Sequence, residues 1–264
     1  MDTQQQKQSK VLLIGETCID VHVYGKVNRL CPEAPAPVFN KMNSKENLGM
    51  AGNVSSNLNA LNVNHDFLTN SNFESVKKIR YVDERTNTLF IRVDENDEEI
   101  SRIDISQVDF DYYDAVVIAD YDKGFLTEED IMEITDQHNR VFLDTKKSLG
   151  SWSQKAFIIK INNDEYLKSE DFITKKLSKK IIRTAGPLGC TFREETYPVE
   201  SVEIKDVSGA GDTFLSGLVA AYVSLKNIKK SIRFANICST YVVQRKGVTT
   251  VDASLLNKIG KTNV

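Results

Sequence analysis

The chain has 264 residues, 41% of them hydrophobic and 27% charged, with a net charge of −3. A chain of that length folds as one large domain, 1–264, with a sizeable core. Its nearly balanced charge argues against nucleic acid or an anionic membrane as partner, and Cys18, Cys31, Cys190 and Cys238 lack the spacing of a zinc site.

Residues 1–9 are polar, carry no apolar signal core and read as a loose tail. No run is apolar for long enough to cross a bilayer, and scattered cysteines suit reduced thiols, so a cytoplasmic protein is expected. "KVLLIG" (10–15) is an apolar run ending in glycine, the form of a strand buried on both faces. "YDAVVIAD" (113–120), "RVFLDT" (140–145) and "AFIIKIN" (156–162) repeat it, and "KKIIRTA" (179–185) is a weaker version. Helix-like stretches at 50–61, 127–139 and 163–178 alternate with them, and Thr127 with Asp130 forms a capping box. The alternation predicts a mainly parallel sheet covered on both faces.

Two segments break the rhythm. Residues 21–48 hold three of the five prolines, which suits extended edge structure. Residues 76–104 alternate apolar and polar like an exposed strand pair. Together they predict a small β-lid at the carboxyl ends of the sheet strands, where α/β sheets bind ligands and a lid excludes water.

"DVSGAGD" (206–212) precedes a long apolar stretch, which puts Gly209 and Gly211 at a helix N-terminus. There the free N–H groups and the helix dipole favour an anion, and glycine lets the backbone approach it. Asp212 would stand at the mouth of that cradle, ionised by the same dipole, ready to take a proton from an attacking hydroxyl. On spacing alone a second reading stands beside this one: a plain glycine turn with Asp212 as a helix cap. The Walker pattern is absent, since Thr213 follows an acid rather than a lysine.

The stretch resembles the D-x-x-G-A-G-D signature of the ribokinase-like (phosphofructokinase-B type) carbohydrate kinases. Within them, "GETCIDVHVYGKVNRLCPEAPAPV" (15–38), "ADYDKGFL" (119–126), "LDTKK" (143–147), "INNDEYL" (161–167) and "FANICSTYVVQRKGVTTV" (234–251) are similar to the D-glycero-β-D-manno-heptose 7-phosphate kinases. The likeness runs over most of residues 10–252 and leaves no length for the nucleotidyltransferase domain fused to some of them. It implies a three-layer α/β/α sandwich with a β-lid, and an ATP-dependent phosphorylation of a heptose 7-phosphate at O1 that feeds ADP-heptose synthesis. Another sugar on the same scaffold, or a binding protein that has lost catalysis, stays open.

By this resemblance Asp212 is the base and Gly209, Ala210 and Gly211 form the anion hole. Asp20 and Asn53 bind sugar hydroxyls, with Gly49 and Gly52 allowing close approach and Met50 standing where the family has glycine. Asn162 and Glu165 organise Mg²⁺ and phosphate through water. Thr184, Gly189 and Asn236 lie by the nucleotide. A substrate already carrying a phosphate needs cations, and Arg29, Glu33, Lys123 and Lys146 are the candidate set, Arg29 and Lys123 foremost; each reads equally as a surface charge. The family's strand–helix unit after the Asn53 region is missing from 65–90, which predicts an uncovered part of the sheet, closed by the lid or by a second subunit. Exposed lid edges suit a homodimer.

Overall fold

The computed structural model describes residues 9–98 and 100–258, so the expected tail lies, but for Ser9, outside the described residues. The chain runs through β1 (Lys10–Ile14), β2 (Thr17–Leu30), β3 (Pro37–Met50), α1 (Ala51–Ala60), β4 (Asn64–Leu68), β5 (Lys77–Asp83), β6 (Leu89–Glu95), β7 (Ala115–Asp120) and α2 (Glu128–Gln137). It continues through β8 (Val141–Thr145), β9 (Ile158–Asn162), α3 (Asn163–Lys168), α4 (Lys175–Ser178), β10 (Ile181–Thr184), β11 (Cys190–Phe192), β12 (Glu195–Tyr197), α5 (Ala210–Leu225) and α6 (Ile228–Val243).

Eight strands form the body sheet in the order β12-β11-β10-β9-β8-β7-β1-β4. The six from β10 to β4 are parallel, and β11 and β12 add an antiparallel edge that the sequence did not announce. The apolar runs are strands because both their faces are buried. Val11 and Leu13 pack with Val54 of α1, Leu218 of α5 and Ile232 of α6, while Leu12 and Ile14 pack with Ile131 and Ile134 of α2. This is the expected three-layer sandwich. The helix expected over 163–178 breaks into α3, a short 3₁₀ turn and α4. The Thr127–Asp130 capping box forms.

The lid is a separate four-stranded sheet, β3-β2-β5-β6, in which only β2 and β5 run parallel. Its strands β2 and β3 are 14 residues each, longer than expected, and β3 passes directly into α1. After β4 the chain turns through 71–75 straight into β5, so the strand–helix unit is absent. Within the chain, the irregular segment that follows the lid packs on this part of the sheet. Ile100, Ile105 and Phe110 are buried in the same apolar cluster as Leu12 and Val116. Loss of a helix is tolerated because apolar side chains alone can seal a sheet face.

Candidate active site

A cavity of about 630 Å³ opens at the carboxyl ends of the body strands, beneath the lid. Its floor is the start of α5. Gly209 holds φ at +76°, a left-handed value that glycine adopts without strain, and this turns the chain into the helix. No side chain caps α5. The Ala210 N–H bonds Val207 O, while the N–H groups of Gly211 and Asp212 have no protein acceptor among the described residues. They face the cavity as free donors at the positive end of a 16-residue helix, suited to an anion.

Asp212 stands on this first turn with both oxygens engaged. Asn53 Nδ2 donates to Oδ2 at 2.9 Å, and the Tyr121 hydroxyl donates to Oδ1. Asn53 is itself oriented by Asn57, whose amide donates to its Oδ1 at 3.2 Å. A Cβ on Gly209 would meet Asn53 Nδ2 at 2.6 Å, so the glycine also makes room for that amide. The carboxylate is half-buried and lines the cavity. Burial pushes its pKa above the ordinary carboxylate value, and the bonds from Tyr121 and Asn53 and the charge of Lys160 oppose the rise. The expected preference of the helix dipole for the charged form is thus opposed by burial, the largest influence on the group.

Lys160 is 4% exposed and pairs with Asp144 at 2.6 Å. A Cβ on Gly211 would lie 3.0 Å from its ammonium, which puts the charge beside the free N–H groups. A lysine inside the apolar run "AFIIKIN" is a readable signal, since a strand buried on both faces has no solvent for a charge. Next to it, Asn162 caps α3: its Oδ1 accepts from Glu165 N and Glu165 Oε2 accepts from Asn162 N, a complete capping box. Glu165 Oε1 accepts from Lys146. Lys146, expected among the substrate-phosphate cations, thus stands with Asn162 on the α5 side of the cavity and not on the lid. Thr184, Gly189 and Asn236 line the same end with Ser239 and Thr240 of α6. Asn236 is bonded to Tyr197 O at 2.9 Å.

Asp20 lies within lid strand β2, not just past β1, and pairs with Arg80 of β5. Gly49, across from Cys18 on β3, has no space for a Cβ against that carboxylate. Gly52 sits in α1, packed on Thr17 and Leu48 rather than on the cavity. Met50 holds φ at +57°, keeping the backbone that glycine would adopt. Lys78, Arg80 and Arg92 project from β5 and β6 into the cavity, a set not picked out in the sequence. Each meets a carboxylate: Lys78 with Asp97 at 2.8 Å, Arg92 with Asp94, Arg80 with Asp20. Lys123 pairs with Asp97 behind this rail and is not part of the cavity wall. Arg29 and Glu33 do not reach the cavity. They are exposed at the distal end of the β2–β3 hairpin, Arg29 nine residues along β2 from Asp20.

Among the described residues no cluster of three or more His, Cys, Asp or Glu could hold a metal ion, and no helix is long and apolar enough to cross a membrane. Residues 49–254 match the family described as pfkB family carbohydrate kinase. The "Bifunctional protein HldE" of a Nitratiruptor species is 31% identical over 91% of this chain and 63% of its own length, and that of a Helicobacter pylori strain is 29% identical over 90% and 64%. The chain thus spans less than two thirds of these curated relatives. The nucleoside kinase of Methanocaldococcus jannaschii, an archaeal member of the ribokinase family, superposes with a TM-score of 0.71 at 16% identity, covering 96% of this chain and 98% of that one. The Arabidopsis thaliana ribokinase solved with ribose and ATP superposes with a TM-score of 0.69 at 14% identity, covering 97% and 99%. With fold, cavity and family profile in agreement, the chain belongs to the pfkB family of carbohydrate kinases, phosphotransferases that act on an alcohol group.

Proposed function

We propose that the chain is an ATP-dependent kinase that phosphorylates D-glycero-β-D-manno-heptose 7-phosphate at O1, in the supply of ADP-heptose. The observation that carries the reading is Asp212: a half-buried carboxylate on the first turn of α5, beside two free backbone donors and lining one cavity with Asp20 of the lid. The motif likeness and the 29–31% identical relatives support the heptose.

In this reading Asp20 and Asn53 hold acceptor hydroxyls and Asp212 takes the proton of the one that attacks. Charge moving onto the transferred phosphoryl group is met by the Gly211 and Asp212 N–H groups and by Lys160. The nucleotide lies along Thr184, Gly189 and Asn236. The donor set fits Mg²⁺ arriving on the nucleotide phosphates: such an ion keeps most of its waters and needs few carboxylates. Glu165 would reach it only through water, since its oxygens already accept from Lys146 and Asn162, while Asp144 Oδ1 has no hydrogen-bond partner. Bound, the ion would neutralise phosphate charge.

The lid also supports a homodimer. Ile91 and Val93 alternate with Arg92 and Asp94 on edge strand β6, so they face away from the cavity, and Leu89, Ile91 and Val93 are 52%, 56% and 36% exposed. A second copy would cover that face.

The test is ADP release with Mg-ATP and the heptose 7-phosphate, beside hexose and pentose phosphates and free sugars. Turnover confined to the heptose phosphate and lost in Asp212→Asn is expected. Turnover on another sugar alone would refute the heptose, and none on any sugar would refute the kinase.

A further inference from the structure

The cations of the lid rail are already committed to Asp20, Asp94 and Asp97. A different set is not. A second cavity of about 500 Å³ lies on the other flank of the lid, between β3 and the loop that follows α6. Lys45, Arg245 and Lys246 line it, and no carboxylate does. Lys45 and Lys246 are exposed and have no ion-pair partner among the described residues. Arg245 is fixed in place: it donates to Tyr241 O and lies 3.4 Å over the Tyr241 ring. Asp206, the acid beside this loop, is taken up by the N–H groups of Gly247 at 3.1 Å and Ser208 at 2.9 Å.

Two further features mark the wall as built for a polar guest. His22 is 3% exposed, lines the cavity and has an Nδ1 with no hydrogen-bond partner. Thr249 lines it as well, and its hydroxyl is also unpartnered. Buried polar atoms are seldom left so unless a ligand or water completes them. Asn53, which holds Asp212, belongs to the same wall.

We infer that this second cavity is a phosphate-group subsite, in which Lys45, Arg245 and Lys246 hold the anion beside the Asn53–Asp212 pair. An oxyanion there meets one fixed guanidinium and two mobile ammonium groups, with its charge otherwise uncompensated. The phosphate comes either on the acceptor, which rests on the kinase reading above, or as a free ion, which does not.

The test is calorimetric titration of inorganic phosphate and of a sugar phosphate into wild type, into Lys45→Met/Lys246→Met and into Lys78→Met/Arg92→Met. Lys45 and Lys246 are exposed, so the first variant keeps the fold. Expected is phosphate binding weakened at least ~tenfold in the first variant and within about twofold of wild type in the second, the loss of two charge-assisted contacts. Competition between the two ligands assigns the site to the acceptor's own phosphate. Simultaneous binding assigns it to a free ion. Absent binding in wild type, unchanged binding in the first variant, or loss only in the lid variant would each overturn the subsite. These titrations read binding without turnover, so they are independent of whether ADP is released.

Discussion

The Tyr121 hydroxyl and Asp212 Oδ1 share a hydrogen bond, which leaves the half-buried carboxylate with no oxygen free of a donor. A bond donated to the charged form stabilises it, so Tyr121 holds down a pKa that burial drives up. In Tyr121→Phe that support is gone and the pKa of Asp212 rises further. A base must be ionised to act, so the acid limb of the kcat/KM profile moves to higher pH, by about one unit for a charge-assisted bond. The profile from pH 5 to 9 checks it. A loss equal at every pH would mean that Tyr121 serves only packing.

Lys160→Met removes the partner of buried Asp144. An orphaned buried charge costs about 3–5 kcal/mol, so a marked fall in Tm is expected. Lys160→Met/Asp144→Asn recovers most of that Tm, because no charge is then left unpaired. ADP release stays low in both variants, since each lacks the ammonium beside Gly211. Thermal melts and turnover on the same samples separate the two effects.

Glu16 is fully buried, and burial followed by the nearby Asp120 pushes its pKa up to about 7. A carboxyl with a raised folded-state pKa favours the fold least where it must be ionised. Its cost grows as pH climbs from its unfolded value to about 7. Between pH 5 and pH 8 wild type should lose roughly 2–3 kcal/mol through this group alone. Glu16→Gln abolishes that slope, so its stability relative to wild type improves by that amount across the interval. Urea melts at the two pH values measure it.

Ile91→Asp puts a charge on the outward face of edge strand β6. Light scattering on wild type should give a dimer mass, and on the variant a monomer. A wild-type monomer at micromolar concentration would refute the lid interface.

The body of the fold was legible because parallel strands buried on both faces leave unbroken apolar runs, and the capping residues at Thr127 and Asn162 mark helix starts by local chemistry. Gly209 to Asp212 was legible for the same reason: a helix start, its dipole and its donors are neighbours in sequence. The lid rail was not. Lys78, Arg80 and Arg92 alternate along strands as solvated charges do, and only the pairing of β5 with β2 turns them toward Asp20. Arg29 falls outside the site because a motif gives residue types without the length of the strand that carries them. Tyr121 lies inside the "ADYDKGFL" motif, but its role at Asp212 was not legible, since that contact spans 91 residues.

The lid strands have no joint. β2 starts three residues after β1, and β3 enters α1 at Met50, whose left-handed backbone carries strain of about 1–3 kcal/mol. Asn53 is the third residue of that helix. Any tilt of the lid is therefore delivered by a short lever to the amide that grips Asp212. Closing over a sugar and setting the base are then one movement, and a substrate too small to pull the lid down would leave the base untuned as well as the site wet.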